Sequence, residues 1–130
     1  MIENLEPKQC WAFLQNNPAA ILIDVRTFIE HSFIGHPPGA KHIPWKEFPG
    51  MQLNTGFVQQ VQQIVVDKAT PVLLLCRTGV RSVEAAKALD VVGYQHLINI
   101  AQGFEGQIDA DKHRGNIDGW RFHGLPWEQS

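Results

Sequence analysis

The sequence predicts an α/β fold in which a parallel sheet is covered by helices on both faces. Three short apolar runs, Ile21-Leu22-Ile23, Pro71 to Leu75 and Leu97 to Ile100, read as strands buried on both sides. Segments with helical spacing alternate with them, and such alternation is the mark of a parallel sheet. The length of 130 residues suits one ordinary domain with one sizeable core, so 1–130 is read as a single unit.

Each element has its own local reason. Pro7 suits the first turn of a helix whose apolar face is Trp11 and Leu14 with Cys10, and Asn16-Asn17-Pro18 stops it. From Phe28 to Gly56 the chain is loop-rich, with turns at His36-Pro37-Pro38-Gly39 and Phe48-Pro49-Gly50. Val58, Val61, Ile64 and Val65 form the inner face of a second helix, with glutamines facing outward. A third helix follows the polar turn from Cys76 to Arg81, with Val83, Ala86 and Leu89 as its inner stripe and Gly93 as its cap. Trp120, Leu125 and Trp127 are expected to pin the C-terminal segment to the domain.

Composition removes several function classes. The chain is 44% apolar and 18% charged, as globular proteins are, and its net charge is −2. No general basic field exists, so nucleic acid is not the expected partner. No apolar run approaches the roughly 20 residues of a membrane helix, and the first six residues do not read as a secretory signal. Two cysteines, Cys10 and Cys76, make neither a disulfide framework nor a zinc site. The expected compartment is the cytoplasm.

In such sheets ligands bind beyond the carboxyl ends of the strands, and two strands end there in polar residues: Asp24-Val25-Arg26 and Cys76. The second is the more telling. A buried strand feeds Cys76-Arg77-Thr78-Gly79-Val80-Arg81-Ser82, which turns into a helix. Amides at a helix N-terminus lack intrahelical partners and, with the helix dipole, stabilise negative charge. That charge is either a thiolate on Cys76 or an oxyanion of a substrate. Arg77 and Arg81 add two permanent positive charges, and Gly79 lets the backbone turn. A cysteine after an apolar strand is ordinarily an inert core residue. Two arginines and a glycine within five positions set Cys76 apart. Cys10 has no basic company and reads as structural.

These residues resemble the active-site loop of single-domain rhodaneses, a family of sulfurtransferases. Asp24-Val25-Arg26, Glu30 and Gly35-His36-Pro37-Pro38-Gly39-Ala40-Lys41-His42-Ile43-Pro44 are similar to the family's first signature. Gly119-Trp120 followed by Gly124-Leu125-Pro126 is similar to its usual ending. Departures are Pro37 in place of an aliphatic residue and a long stretch over 104–118. The resemblance implies a rhodanese-like single domain with a central parallel sheet of about five strands and helices on both faces. It implies a sulfur atom carried on Cys76 as a persulfide, an anionic donor such as thiosulfate, and a thiophilic acceptor such as cyanide or a thiol. Cys76 is then catalytic. Arg77, Thr78, Gly79, Val80 and Arg81 bind substrate, and Asp24, Arg26 and Ser82 support the loop. No metal and no organic cofactor is required. A carrier role, with sulfur relayed to or from a protein partner, stays open.

A cysteine phosphatase or arsenate reductase uses a similar strand, anion loop and helix, but its loop resembles His-Cys-x5-Arg. Here Leu75 precedes the cysteine and four residues separate Cys76 from Arg81, a smaller cradle. Asp24 is expected to accept hydrogen bonds from the cysteine loop through Arg26, and His36 to be packed and hydrogen-bonded. Trp45 is a candidate for the mouth of the pocket. Asp109, Asp111 and His113 alternate as metal ligands can, but three polar residues in a loop are ordinarily solvated.

Overall fold

Strands and helices alternate along the chain, and every rung of the main sheet is parallel. The computed structural model describes residues 1–130. In chain order the elements are β1 (Ile2–Leu5), α1 (Pro7–Asn16), β2 (Ile21–Asp24), one π-helical turn (Glu30–Ile34), β3 (Lys41–His42), β4 (Lys46–Glu47), β5 (Gln52–Leu53), α2 (Phe57–Ile64), β6 (Val72–Leu75), α3 (Val80–Val91) and β7 (Leu97–Ile100). Five strands form the sheet in the order β1-β7-β6-β2-β3, and β4 pairs with β5 in a small antiparallel ribbon. This is the expected α/β architecture, a central parallel sheet of five strands with helices on both faces. No helix is long and apolar enough to cross a membrane.

The three apolar runs occupy the centre of the sheet, where both faces are covered. Successive strand residues point to opposite faces, so one run feeds two cores. Ile23, Val72 and Leu74 point toward α2 and α3, where they meet Phe57, Val61, Val65, Ala85, Ala86 and Leu89. Leu22, Leu73, Leu75, Ile98 and Ile100 point the other way, toward Cys10 of α1, Phe104 and Trp120. Each fully buried leucine or isoleucine contributes about 1.5–3 kcal/mol relative to exposure.

Local details depart from the sequence reading in three places. Two strands at the sheet's edges, β1 and β3, lie in segments read as non-strand. The inner face of α3 is Ser82, Ala85, Ala86 and Leu89, whereas Val83 is only half-buried. The helix starts at Val80, with Gly79 as its cap, and that phase turns Ser82 into the domain. Ile64 is largely exposed, and Phe57 takes the inward position instead.

Register fixes where the chemistry sits. Asp24 on β2 is level with Leu75 on β6, and the Val25 N–H donates to the Leu75 carbonyl at 2.9 Å. The carboxyl ends of both central strands therefore open onto one edge, with Arg26 following one and Cys76 the other.

Candidate active site

Cys76 ends the most buried strand and is itself 1% exposed. The chain then turns through Gly79, whose φ of +100° is the left-handed conformation that favours glycine. That turn aims the Gly79 N–H at Cys76 Sγ, 3.0 Å away. Ser82, in the first turn of α3, places its hydroxyl 3.2 Å from the same sulfur. Ser82 Oγ also donates to Asn99 Oδ1 at 2.5 Å, and Asn99 Nδ2 donates to Asn4 Oδ1 at 2.9 Å. A chain of polar side chains thus runs from β1 through β7 to the thiol. Asn99 interrupts an otherwise apolar strand, and that interruption was the available signal for it.

The first half of the loop is held by its backbone. Phe104 N–H donates to the Cys76 carbonyl at 2.8 Å, and the Glu105 and Gly106 N–H groups donate to the Arg77 carbonyl at 3.0 and 3.2 Å. Gly103 makes this approach possible. A Cβ there would stand 2.5 Å from the Arg77 carbonyl carbon, and φ is +68°.

The second half is held by an ion pair. Arg81 donates two hydrogen bonds to Glu30, each 2.8 Å, from Nη1 to Oε1 and from Nη2 to Oε2. Glu30 Oε1 also accepts the Thr27 N–H and hydroxyl. Burial raises the carboxyl pKa of Glu30, but the bonds from Arg81 and Thr27 outweigh it and hold the carboxyl below its usual range. Burial likewise opposes the charge on Arg81, and Glu30 more than restores it.

Asp24 and Arg26 form a fully buried pair, with Nε to Oδ1 at 2.8 Å and Nη2 to Oδ2 at 2.7 Å. His31 Nδ1 lies 2.7 Å from Asp24 Oδ2. Burial raises the carboxyl pKa, but His31 and Arg26 lower it further, to about 2. No loop residue bonds directly to Asp24: its hydrogen bonds come from Arg26, the intermediary expected, and from His31. Arg26 Nη2 donates to the Gly35 carbonyl at 2.5 Å, and its guanidinium lies 4.5 Å from the centre of the Phe104 ring. The pair therefore closes the segment 27–35, which presents Glu30 to Arg81. Its influence on the loop is indirect.

Above Cys76 lies a cavity of about 720 Å³. Thr78, Val80, Arg77, Arg81 and Glu30 line it, with Ile29, Ile34, Phe48 and Met51 as an apolar wall. Arg77 is exposed at its rim. Trp45 does not line this cavity. It packs edge-on against Phe57 with ring centres 5.2 Å apart, and its neighbour Lys46 lines the cavity instead. His36 is packed as expected, stacked on His31 at 3.8 Å with Nδ1 2.7 Å from the His31 carbonyl.

Cys10 lies buried under α1, where desolvation pushes its thiol up to about 12, so it stays a neutral core group. Asp109 orders its own loop: Oδ1 accepts the Asp111 and His113 N–H groups, and Oδ2 accepts Asn116 Nδ2. The C-terminal segment is anchored as expected. Trp120 is fully buried with Nε1 donating to the Pro126 carbonyl, and the Trp127 ring stands edge-on to Phe104. Glu128 pairs with His36 through two backbone bonds of 2.9 Å.

The family model for the rhodanese-like domain matches residues 6–109. An uncharacterized protein of Rickettsia conorii is 35% identical over 131 residues, covering 98% of both chains. The thiosulfate sulfurtransferase GlpE of Haemophilus influenzae is 28% identical over 109 residues, 84% of this chain and 90% of that one. Among solved structures, Rv0390 from M. tuberculosis superposes with a TM-score of 0.88 at 35% identity, covering 98% of both chains.

Proposed function

Because this chain belongs to the family of rhodanese-like domains, we propose that it is a sulfurtransferase that carries sulfane sulfur on Cys76. The observation that carries this reading is the setting of Sγ. It ends a buried strand at the floor of a cavity, receives the Gly79 N–H at 3.0 Å and meets the Ser82 hydroxyl at 3.2 Å. The Gly79 N–H, a donor fixed in place before the reaction, stabilises a thiolate, and then a persulfide anion, without reorganisation. The Ser82 hydroxyl, whose own proton goes to Asn99, accepts from the neutral thiol.

The donor in this reading is an anion such as thiosulfate. The Cys76 thiolate attacks the outer sulfur, a bond forms between Sγ and that sulfur, and the donor's S–S bond breaks. Its electron pair leaves with sulfite. A thiophilic acceptor, cyanide or a thiolate, then attacks the outer sulfur of the persulfide and returns Cys76 to the thiolate. The chemistry asks for no metal or organic cofactor. Arg77, exposed at the rim, attracts the donor. Arg81 is committed to Glu30 and acts as a positioning residue for the loop.

That commitment counts against a phosphatase or arsenate reductase, whose loop arginine must face the oxyanion. The cavity supports a second use. About 720 Å³ is far more room than thiosulfate needs, which favours a larger organic or protein-borne sulfur compound as one of the two substrates.

Steady-state formation of thiocyanate from thiosulfate and cyanide tests the reading. Cys76→Ser is expected to abolish it and Cys10→Ser to leave it near wild type. Turnover surviving in Cys76→Ser would remove Cys76 from the chemistry.

A further inference from the structure

One carboxylate in the cavity accepts no hydrogen bond from the protein and has only a long ion pair, to Arg121. Glu105 lines the same cavity as Cys76 and Arg77, and its side chain is only 12% exposed. Neither of its oxygens accepts a hydrogen bond. Oε2 is buried without a partner, and Oε1 stands 3.9 Å from Arg121 Nη2, beyond hydrogen-bonding distance. Arg121 is itself engaged with the faces of Phe104 and Trp127, at 5.2 and 5.5 Å from their centres. Glu30 in the same wall shows the contrast: its oxygens take four hydrogen bonds.

A buried acceptor left unpaired costs about 1–3 kcal/mol, and more when it is charged. The backbone enforces this arrangement, because the Glu105 N–H is tied to the Arg77 carbonyl one residue after the nucleophile. The Glu105 backbone therefore cannot leave the cavity wall without undoing the loop. An anionic donor gains nothing from it. A substrate bearing a positive N–H group supplies what it lacks.

We propose that Glu105 is a specificity-determining residue that selects the sulfur acceptor, an organic thiol carrying an ammonium group. This rests on the sulfurtransferase reading. Two-step transfer places both substrates in one cavity at different times, with Arg77 serving the anionic donor and Glu105 the cationic end of the acceptor. Rotation of the carboxylate about its terminal torsion, a soft one, turns either oxygen toward the ligand. The aminothiol's thiolate attacks the outer sulfur of the Cys76 persulfide. A bond forms between those two sulfurs, the Sγ–S bond breaks, and its electron pair returns to Sγ. The product is the aminothiol persulfide, the thiol proton goes to solvent, and no external oxidant or reductant takes part. The apolar wall of Ile29, Ile34, Phe48 and Met51 accommodates the carbon skeleton.

The test uses two thiol reagents that differ in the ammonium group, aminoethyl and propyl methanethiosulfonate. Rates of adduct formation on Cys76 are followed by mass and divided by each reagent's rate with free mercaptoethanol. Wild type is expected to favour the aminoethyl reagent by about tenfold, the size of one charge-assisted hydrogen bond. Glu105→Gln, or Glu105→Ala should the first variant not fold, is expected to bring the ratio close to one. A merely structural role would slow both reagents alike and leave the ratio unmoved. A wild-type ratio near one, or a ratio unchanged by the variants, overturns the proposal. A parallel arm compares discharge of the thiosulfate-loaded protein by cysteamine and by mercaptoethanol. Failure to load overturns the sulfurtransferase reading, while the reagent ratio still judges Glu105 on its own.

Discussion

Arg81 and Arg77 carry the same charge four residues apart and do different work. Arg81 and Glu30 are 15% and 14% exposed, and their two parallel bonds make one rigid unit across the cavity wall. Arg81→Ala and Glu30→Gln are each expected to lower kcat, and the double variant to be little worse than either single. The pair coupling expected from such a cycle is about 1–2 kcal/mol. Additive losses would show that the two side chains act separately. Arg77 has no side-chain partner, so Arg77→Ala is expected mainly to raise KM for thiosulfate, the sign of lost uniform binding. Sequence made Cys76 and its loop legible because the whole arrangement is local, from strand end through glycine to helix start. Glu30 was legible only through a family signature, because its partner lies 51 residues away. Asn99 was missed although an amide inside an apolar strand asks for a partner. Glu105 left no sequence signal, because only the docking of its turn brings it to the cavity.

The helices and central strands were legible at the scale of elements because period and length agree there. The edge strands β1 and β3 were not. Ile2–Leu5 has two polar residues at its centre, and Lys41–His42 is two residues long, so neither shows an apolar run. Both are strands because a neighbour offers a ladder, which is tertiary information. The turn at Gly103 shows what such docking demands. Gly103→Ala is expected to destabilise the protein more than Gly79→Ala, although both need positive φ. At Gly79 the nearest atoms to a new Cβ are 3.6 Å away, so conformational strain of about 1–2 kcal/mol is the whole cost. At Gly103 the new atom collides with the backbone of Arg77, and several kcal/mol are expected from strain and displacement together. Denaturant midpoints of the two variants compare them directly. Equal losses would show that the turn is not wedged against the cysteine loop.

Across the whole molecule, the segment 27–36 is the joint between the chemistry and the scaffold. Asp24 and Arg26 close it from below. From outside, Glu128 pairs with the His36 backbone and Ser32 donates to the terminal carbonyl of Ser130. The acid response of the protein should report this joint. The Asp24 carboxyl titrates at about 2 in the folded chain, against about 3.9 unfolded. A depressed carboxyl stabilises the fold above its unfolded pKa, and that stabilisation disappears as pH falls through the folded value. Roughly 2–3 kcal/mol is therefore expected to be lost between about pH 4 and pH 2. Asp24→Asn is expected to be less stable at neutral pH, because Arg26 stays buried without its counter-charge, and to show a flatter acid slope. Urea unfolding at several pH values measures both. An unchanged slope in the variant would place the acid sensitivity elsewhere.

The most direct test of the central claim is the intact mass of the protein after incubation with thiosulfate and removal of excess donor, followed by a cyanide chase. Wild type and Cys10→Ser are expected to gain the mass of one sulfur atom, located on the peptide containing Cys76, and to lose it to cyanide as thiocyanate appears. Cys76→Ser is expected to gain nothing. A sulfur adduct that persists in Cys76→Ser, or a wild-type protein whose mass never changes with any sulfane donor, would contradict it.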